Sequence, residues 1–490
     1  MRSDTFARPA LGQVARVMQD EDLARRRGRV RDLIGLIIEA TGLQVEMGEV
    51  CLVGDGRDQG GRDRIPTEVV GFRGGRTLLM PLGELSGIAP GTSVHPTGKP
   101  FRVTVGDGLL GRVIDGLGKP LDDYGDLEDA KTRDATATPP DALTRPRISE
   151  RVGLGVRALD TLVPCGNGQR LGIFAGSGVG KSSLLGMIAR STTADVNVIA
   201  LVGERGREVR EFVERDLGDA LAHSVVVVAT SDQPALVRIQ AAFTATAIAE
   251  HFRDQGKNVM LMMDSVTRFA MAQREVGLAI GEPPATRGYT PSVFALLPRL
   301  LERAGTSPNG SITGLYTVLV DGDDMNEPIA DAVRSILDGH IVLTRSLAHS
   351  GHYPAIDVLQ SVSRLVGEIV TPEIREAGTR LRSALAAFRE KEDLISIGAY
   401  QPGTDPVLDA AIALRPAMDG FLRQSIEDLT TADEADQALL SLAAQLPGSG
   451  ELMPAVDVAT AQPPAIPTPQ VPVGAPAGAP AAIPSLTLAA

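Results

Sequence analysis

In residues 99–370, short apolar runs alternate with segments of helical length, and this alternation limits the possible folds more than any other feature. The runs are rich in Val, Ile, Leu and Met, which is typical of parallel strands buried on both faces of a sheet. Right-handed crossovers between such strands place ligand-binding residues at their carboxyl ends. We therefore predict an α/β domain with a parallel sheet. The predicted strands are 171–175, 196–202, 225–230, 259–263, 315–320 and 340–343, and the predicted helices are 181–190, 208–216, 234–253 and 291–304.

A glycine-rich stretch joins the first predicted strand to the first predicted helix. It is similar to the phosphate-binding pattern G-x-x-x-x-G-K-[ST], although Ala175 stands at the first glycine position. Glycine backbone amides can wrap a phosphate, and the following helix N-terminus favours an anion. Lys181 is expected to reach the β- and γ-phosphates, and the Ser182 hydroxyl to bind Mg²⁺. The residues predicted to bind nucleotide here are Ala175, Gly176, Ser177, Gly178, Val179, Gly180, Lys181, Ser182 and Ser183.

Two carboxylates follow strands of the same predicted sheet. Asp264 comes after five apolar residues and is expected at the sheet edge, where it can complete a Mg²⁺ site or, alternatively, cap the next helix. Glu204 follows strand 196–202 and is a candidate for orienting the attacking water and accepting its proton. Arg205 is expected to offset charge on the phosphate oxygens. Spacing alone leaves open a surface ion pair between Glu204 and Arg205 with no catalytic role.

The N-terminal segment, residues 1–31, is rich in arginine on an otherwise acidic chain. Leu11, Val14, Val17 and Met18 are spaced for one face of a short helix. Two interpretations remain open: a frayed, charged terminus, or a helix that folds when a partner binds it.

Three further regions differ in composition from the α/β domain. Residues 32–98 contain short β-rich pieces between glycine turns, which predicts a small barrel or sandwich. Residues 371–446 are predicted to form helices. Residues 447–490 are rich in Pro and Ala and are predicted to be a disordered tail.

Overall composition narrows the function classes. The formal net charge is −13, aromatic residues make up 3% and Trp is absent, which argues against a broad nucleic-acid surface. Two cysteines cannot form a disulfide framework, so a reducing cytoplasm is expected. The longest apolar runs fall short of the roughly 18 residues that span a bilayer, and no signal peptide is expected.

Four sequence blocks together resemble the flagellar protein-export ATPases. They are residues 176–183, 203–209, 263–274 and 281–294. The same blocks are similar to the virulence type III secretion ATPases and, more distantly, to the catalytic subunits of rotary ATP synthases. The resemblance spans roughly residues 25–440. It implies a RecA-like P-loop ATPase core with an N-terminal small β-barrel and a C-terminal helical domain.

The resemblance also implies roles that spacing leaves open. Glu204 matches the catalytic carboxylate and Arg205 a γ-phosphate contact. Arg364 matches the arginine finger that family members insert into a neighbouring subunit's site, which implies a homohexameric ring. Tyr353 matches an adenine-stacking aromatic residue, and Tyr400 is expected to cover the base from the C-terminal helices.

The function implied is a cytoplasmic ATPase, peripheral to the inner membrane, that uses ATP and Mg²⁺ to drive or prime flagellar protein export. Implied partners are a stator-like regulator at the N-terminus, a central stalk protein, membrane proteins of the export gate, and export substrates with their chaperones. The alternatives are a virulence secretion ATPase, a rotary synthase subunit, an RNA-translocating hexamer and a non-catalytic ring member. Acidic charge argues against RNA binding, and the presence of Lys181, Glu204 and Asp264 argues against a non-catalytic ring member.

Overall fold

The computed structural model describes residues 26–54, 64–127, 131–320 and 324–447. The predicted partner-binding helix at residues 11–18 and nearly all of the predicted tail, from residue 448 onward, lie outside these residues. Among the described residues, no helix combines the length and the apolar character needed to cross a lipid bilayer.

The first six strands close into a barrel in the order β1-β2-β5-β4-β3-β6. Alternating burial along the strands directs residues such as Cys51, Val53 and Val69 into the barrel interior. The structure therefore confirms a barrel and excludes the sandwich that the sequence also allowed, and the first strand begins before the predicted boundary at residue 32. The strands are β1 Gly28–Ile34, β2 Ile37–Thr41, β3 Glu49–Val53, β4 Ile65–Arg73, β5 Arg76–Pro81 and β6 Ser93–Pro100.

A nine-stranded sheet forms the centre of the molecule. Its order is β19-β18-β12-β17-β15-β13-β14-β8, with β16 paired to β17, and all pairs are parallel except those made by β16 and β19. Every predicted strand is present, with ends shifted by a few residues. The strands are β8 Val113–Asp115, β12 Arg170–Ala175, β13 Val196–Glu204, β14 Ser224–Thr230, β15 Asn258–Asp264, β16 Gly305–Thr306, β17 Ser311–Leu319, β18 Gly339–Leu343 and β19 Val362–Ser363.

Two small antiparallel sheets accompany the central one. They pair β7 (Arg102–Val105) with β9 (Lys131–Asp134), and β10 (Arg151–Val152) with β11 (Cys165–Gly166).

Helices cover both faces of the central sheet, and apolar residues from both faces are buried against them. Two predicted helices differ from the structure. Segment 208–216 begins at Gly206 as a helix but changes to π-helical geometry over Phe212–Leu217. Segment 291–304 ends at Leu301, and Arg303 beyond the helix end pairs with the buried Glu250. The helices are α1 Arg157–Leu162, α2 Lys181–Ser191, α3 Gly206–Glu211, α4 Ala235–Asp254, α5 Val266–Ala279, α6 Pro291–Leu301, α7 Pro328–Ile336, α8 Arg345–His349 and α9 Val366–Ile369.

Three further helices complete the described chain: α10 Pro372–Ser396, α11 Pro406–Leu422 and α12 Ala432–Ala443. The side chains of Thr371, Asp405 and Thr431 cap their N-termini by accepting hydrogen bonds from backbone amides. Ion pairs join this helical region to the central domain, for example Arg151 with Asp436 at 2.8 Å.

Strand register brings the ends of β12, β13 and β15 to one edge of the sheet. Leu201 in β13 pairs with Asp264 in β15, and Ala175 in β12 pairs with Leu319 in β17. The glycine-rich loop, Glu204 and Asp264 therefore lie at the same edge, as the sequence predicts.

Candidate active site

The glycine-rich loop wraps one end of a cavity of about 500 Å³. Gly178 and Gly180 have φ values of 78° and 88°, a region that L-residues with side chains rarely adopt. Gly180 directly precedes α2, so unpaired amides of the first helical turn point towards the cavity. Such a loop suits a phosphate. The lining residues are Ala175, Gly176, Ser177, Gly178, Gly180, Lys181, Ser182, Ser183, Glu204, Arg205, Glu208, Arg268, Leu319 and Val320.

Val179 differs from the rest of the predicted loop. Its side chain is 2% exposed and packs in the core beside α2, so it anchors the loop and does not line the cavity. Ala175 is likewise buried at the end of β12.

Lys181 pairs with both predicted carboxylates. Its Nζ donates to Asp264 Oδ1 and lies 3.5 Å from Glu204 Oε1, and the three side chains are 12%, 4% and 11% exposed respectively. Burial works to lower the pKa of Lys181, but the charges of Asp264 and Glu204 outweigh it and raise that pKa above its ordinary value. Burial also raises the pKa of Glu204, although the Lys181 cation opposes the shift. Lys181 is therefore protonated and offsets part of the negative charge of two buried acids.

Asp264 has a second partner inside the sheet. Thr317 Oγ1 donates to Asp264 Oδ1 at 2.7 Å, and Thr317 is fully buried. The alternative helix-capping role falls to the neighbouring residue, since the Ser265 side chain accepts from Arg268 N. Asp264 is therefore free of the capping role and remains directed at Lys181.

Glu204 lies where β13 bulges against β14, and Gly203 makes this geometry possible. Gly203 has a φ of 74°, and an added Cβ would lie 2.9 Å from Arg268 Cβ. Arg268 therefore packs directly on the backbone beside Glu204, and its charge opposes the rise that burial causes in the pKa of that carboxylate. Arg205 points outward, is 77% exposed and pairs with Glu208 at 3.4 Å.

Three residues near the cavity were missed by the sequence prediction. Arg268 and Glu208 follow Asp264 and Glu204 by four residues, which is about one helical turn, so helical spacing could have identified them. Thr317 is a polar residue inside a predicted apolar strand, which is a weaker signal.

The two predicted base-contacting tyrosines lie in different places. The Tyr353 ring is next to Gly180, with Cδ1 and Cε1 each 3.5 Å from an ideal Cβ at that glycine, and the residue is 46% exposed. The ring therefore lies beside the loop with about half of its surface exposed, and its role in stacking on a base remains a prediction. Tyr400 lies just beyond α10, where its hydroxyl donates to Asp409 Oδ1 at 2.9 Å. Its role as a cover for the base remains a prediction.

Arg364 lies at the opposite edge of the sheet from its own loop. Its backbone amide donates to Asp338 O at 3.1 Å, beside the amino end of β18, whereas the loop leaves the carboxyl end of the adjacent β12. The residue is exposed. Within one chain, Arg364 therefore projects away from the site that contains Lys181.

Three family models match the chain. The ATP synthase alpha/beta family beta-barrel domain matches residues 31–98, and the nucleotide-binding domain of the same family matches residues 155–363. The T3SS EscN ATPase C-terminal domain matches residues 370–441.

Similar proteins cover almost the same length. The flagellum-specific ATP synthase of Bacillus subtilis is 56% identical over 86% of this chain and 96% of its own length. The chain belongs to this ATPase family. The flagellum-specific ATP synthase of Salmonella typhimurium is 50% identical over 85% of this chain and 93% of its own. The type 3 secretion system ATPase of Xanthomonas euvesicatoria is 50% identical over 86% of this chain and 95% of its own length. The protein is therefore an ATP-hydrolysing enzyme of the flagellar and type III secretion group.

Solved structures confirm the fold. The assembled ATPase EscN from the enteropathogenic E. coli type III secretion system has a TM-score of 0.80 and 47% identity, covering 85% of this chain and all of that one. EscN in complex with its central stalk EscO has a TM-score of 0.78 at the same identity and coverage. The barrel, the parallel-sheet core and the C-terminal helices are thus all confirmed.

Proposed function

We propose that this protein is the ATPase of a flagellar protein-export apparatus and works as a homohexamer with ATP bound at subunit boundaries. The observation that carries the ring is the position of Arg364, which is exposed at the sheet edge opposite its own phosphate loop. A guanidinium there can serve a triphosphate held by a neighbouring copy. Similarity favours the flagellar branch, since the Bacillus subtilis relative is 56% identical and the Xanthomonas secretion ATPase 50%.

The residues at the carboxyl edge fit a Mg²⁺ ion that accompanies the nucleotide. The Ser182 hydroxyl lines the cavity in the first turn of α2, and the Asp264 carboxylate lies behind Lys181. Both are hard oxygen donors of the kind that Mg²⁺ prefers. When bound, the ion would offset negative charge on the phosphate oxygens.

Within one chain, Lys181 contacts the phosphates and Glu204 acts on the attacking water. Lys181 exchanges its contact with Asp264 for the β- and γ-phosphates, which frees the Asp264 carboxylate. Glu204 then loses its neighbouring cation, orients the water and accepts its proton. Tyr353 holds the base beside the loop, and Arg364 of the adjoining copy stabilises charge on the transferred phosphoryl group.

The other partners follow from the family. EscN was solved with its central stalk EscO, and we extend an equivalent stalk to this ring. A stator-like regulator would bind the arginine-rich N-terminus. Export-gate membrane proteins, export substrates and chaperones would bring the ring to the inner membrane on its cytoplasmic side.

Gene deletion followed by complementation tests the flagellar assignment. We expect the deletion strain to lack filaments, and the parent gene to restore them. Glu204→Gln should fail to restore them, because turnover falls by about 10²-fold or more when the base is lost. Glu211→Gln is the matched control, since Glu211 pairs with Arg207 on the exposed face of α3. A deletion strain that still assembles filaments but no longer secretes virulence proteins would favour the secretion alternative.

A further inference from the structure

The segment that carries Arg364 is held from outside the sheet by helix α10. We call residues 357–364 the finger segment. It runs back along β18, where Asp357 N donates to Val342 O at 2.8 Å, and ends with Ser363 paired to Gly339. Two arginines of α10 contact it.

Arg389 makes the first of these contacts. Its Nη1 lies 3.1 and 3.0 Å from the two carboxylate oxygens of Asp357, and its Nη2 lies 3.2 Å from Oδ1. Asp357 is 5% exposed in its side chain, whereas Arg389 is 48% exposed. The arginine thus reaches from the surface to a buried acid in the fork geometry that fixes both position and orientation.

The same carboxylate shapes the start of the finger segment. Asp357 Oδ1 accepts from Leu359 N at 3.0 Å and from Gln360 N at 3.2 Å, and Oδ2 accepts from Gln360 Nε2 at 2.7 Å. Ser361 Oγ donates to Asp357 O at 2.7 Å and accepts from Val342 N. A shift of Asp357 therefore moves the turn that leads to Arg364.

Arg382, two helical turns before Arg389, holds the other side of the turn. Its guanidinium donates to Val358 O, and to Leu162 O at 2.5 Å, with longer contacts of 3.4 Å to Ser361 O. Burial lowers the pKa of Arg382. This arginine joins α10, the end of α1 and the finger segment into one unit.

We propose that Arg389 is a positioning residue for Arg364, so that helix α10 sets how the finger is presented to the neighbouring site. This inference rests on the proposed role of Arg364 between subunits. A cavity of about 590 Å³ borders Arg389 and Asp357 and leaves space for the guanidinium to move away from the acid. Movement of the helical region is thereby transmitted to a site in another copy.

A double-mutant cycle on the full-length protein tests this assignment. Steady-state ATPase is measured against ATP concentration for Arg389→Ala, Arg364→Ala and the double variant. Arg389→Ala should lower kcat about tenfold, because misplacing a catalytic group by about 1 Å can cost up to 10²-fold. KM should change by less than about twofold, since Tyr353 and Lys181 are untouched. In the Arg364→Ala background, Arg389→Ala should cause no further loss, because its effect passes through Arg364.

Three further variants make the result specific. Arg389→Lys should recover part of the turnover, since it restores the charge without the fork. Arg380→Ala is the matched control, because this arginine of α10 pairs with Glu376 one turn away, and it should stay within about twofold of the parent. Asp357→Asn keeps the Oδ1 acceptor of the backbone amides of Leu359 and Gln360 but loses the acceptor of Gln360 Nε2. It serves for the same test if Arg389→Ala does not fold.

The outcomes separate this inference from the proposed function. If Arg364→Ala keeps the parent turnover, the finger assignment is wrong and the inference fails with it. If Arg364→Ala is inactive while Arg389→Ala and Asp357→Asn have the parent kcat, only the positioning role is overturned. Losses that multiply in the double variant also overturn it, because Arg389 then acts independently of Arg364.

Discussion

Charged side chains are buried at the carboxyl edge of the central sheet, whereas the arginine at the amino edge is exposed. At the carboxyl edge, Lys181, Glu204 and Asp264 are at most 12% exposed, and the Lys181 cation pairs with both carboxylates within the chain. At the amino edge, Arg364 is exposed and its segment is held from behind by α10. Buried charges need partners in their own chain, because desolvation would otherwise be costly. An exposed arginine carries no such cost and is available to another molecule.

Mixing two inactive variants tests most directly whether the two edges contribute to one site shared between neighbouring subunits. Lys181→Ala removes the carboxyl-edge cation, and Arg364→Ala removes the amino-edge one. Each variant alone should lose at least about 10²-fold in turnover. A random equimolar mixture should recover about a quarter of the parent activity, because that share of boundaries in a head-to-tail ring joins two intact halves.

The control for the mixture is each variant at the same total concentration. Activity that merely equals the mean of the two separate variants would show that both groups act within one chain. The carboxyl and amino edges would then not belong to different halves of a shared site.

Tyr353→Ala should sharpen the picture of the carboxyl edge. Removing the ring beside Gly180 should raise KM for ATP about tenfold, since stacking on a base contributes about 1–3 kcal/mol. The value of kcat should change much less, because the reacting phosphate lies at the other end of the nucleotide. Tyr400→Phe serves as the comparison, since it removes only the hydroxyl bonded to Asp409. An unchanged KM in Tyr353→Ala would contradict stacking.

Thr317→Val is expected to have an effect of similar size on Mg²⁺ binding at the same edge. The change keeps the shape of a fully buried side chain but removes the 2.7 Å hydrogen bond to Asp264. A bond to a charged group contributes about 1.5–3 kcal/mol, so the Mg²⁺ concentration for half-maximal activity should rise by about tenfold. Thr313→Val in the same strand is the control, because its hydroxyl accepts from Gly168 N, at the other end of β17. An equal shift in both variants would mean that Thr317 has no special relation to Asp264.

The sequence predicts the carboxyl edge well because its signals are local. One continuous stretch of sequence contains the strand, the three glycines, Lys181 and Ser182. Glu204 and Asp264 each follow an apolar strand. The pairing of Lys181 with both acids depends on strand order, since β17 and β15 separate β12 from β13. The order of strands in a sheet cannot be inferred from the spacing of residues along the sequence. The bulge at Gly203 that brings Glu204 to Lys181 is equally non-local, because the packing of Arg268 fixes it.

The amino edge is predictable only in part. Resemblance identifies Arg364, but the contacts that hold its segment come from Arg382 and Arg389. These two arginines lie about twenty residues later in the chain, on helix α10. In the sequence, those arginines are indistinguishable from ordinary charged residues on the polar face of an amphipathic helix. Their partners are a buried acid and backbone carbonyls, which a residue pattern does not reveal.

The last prediction concerns the barrel, away from both edges. Burial raises the pKa of Glu68 to about 7, and Glu68 Oε2 accepts from Gln240 Nε2 of α4 at 2.6 Å. The unfolded chain ionises this group near its ordinary value of 4.5, so stability is highest at low pH and falls as pH rises from about 4.5 to 7. Glu68→Gln keeps the acceptor and abolishes the ionisation. It should raise the melting temperature at pH 8 by on the order of 2 °C or more, with a much smaller difference at pH 5.

This change should leave both sheet edges intact. ATPase activity of Glu68→Gln at 25 °C should therefore equal that of the parent, while the melting temperatures diverge with pH. Glu46→Gln is the matched barrel control, because it makes the same substitution at an exposed residue. If Glu68→Gln instead lowers the melting temperature at pH 8, the ionised carboxylate is stabilising where barrel and helix meet. The hydrogen bond from Gln240 would then have to be charge-assisted at that pH.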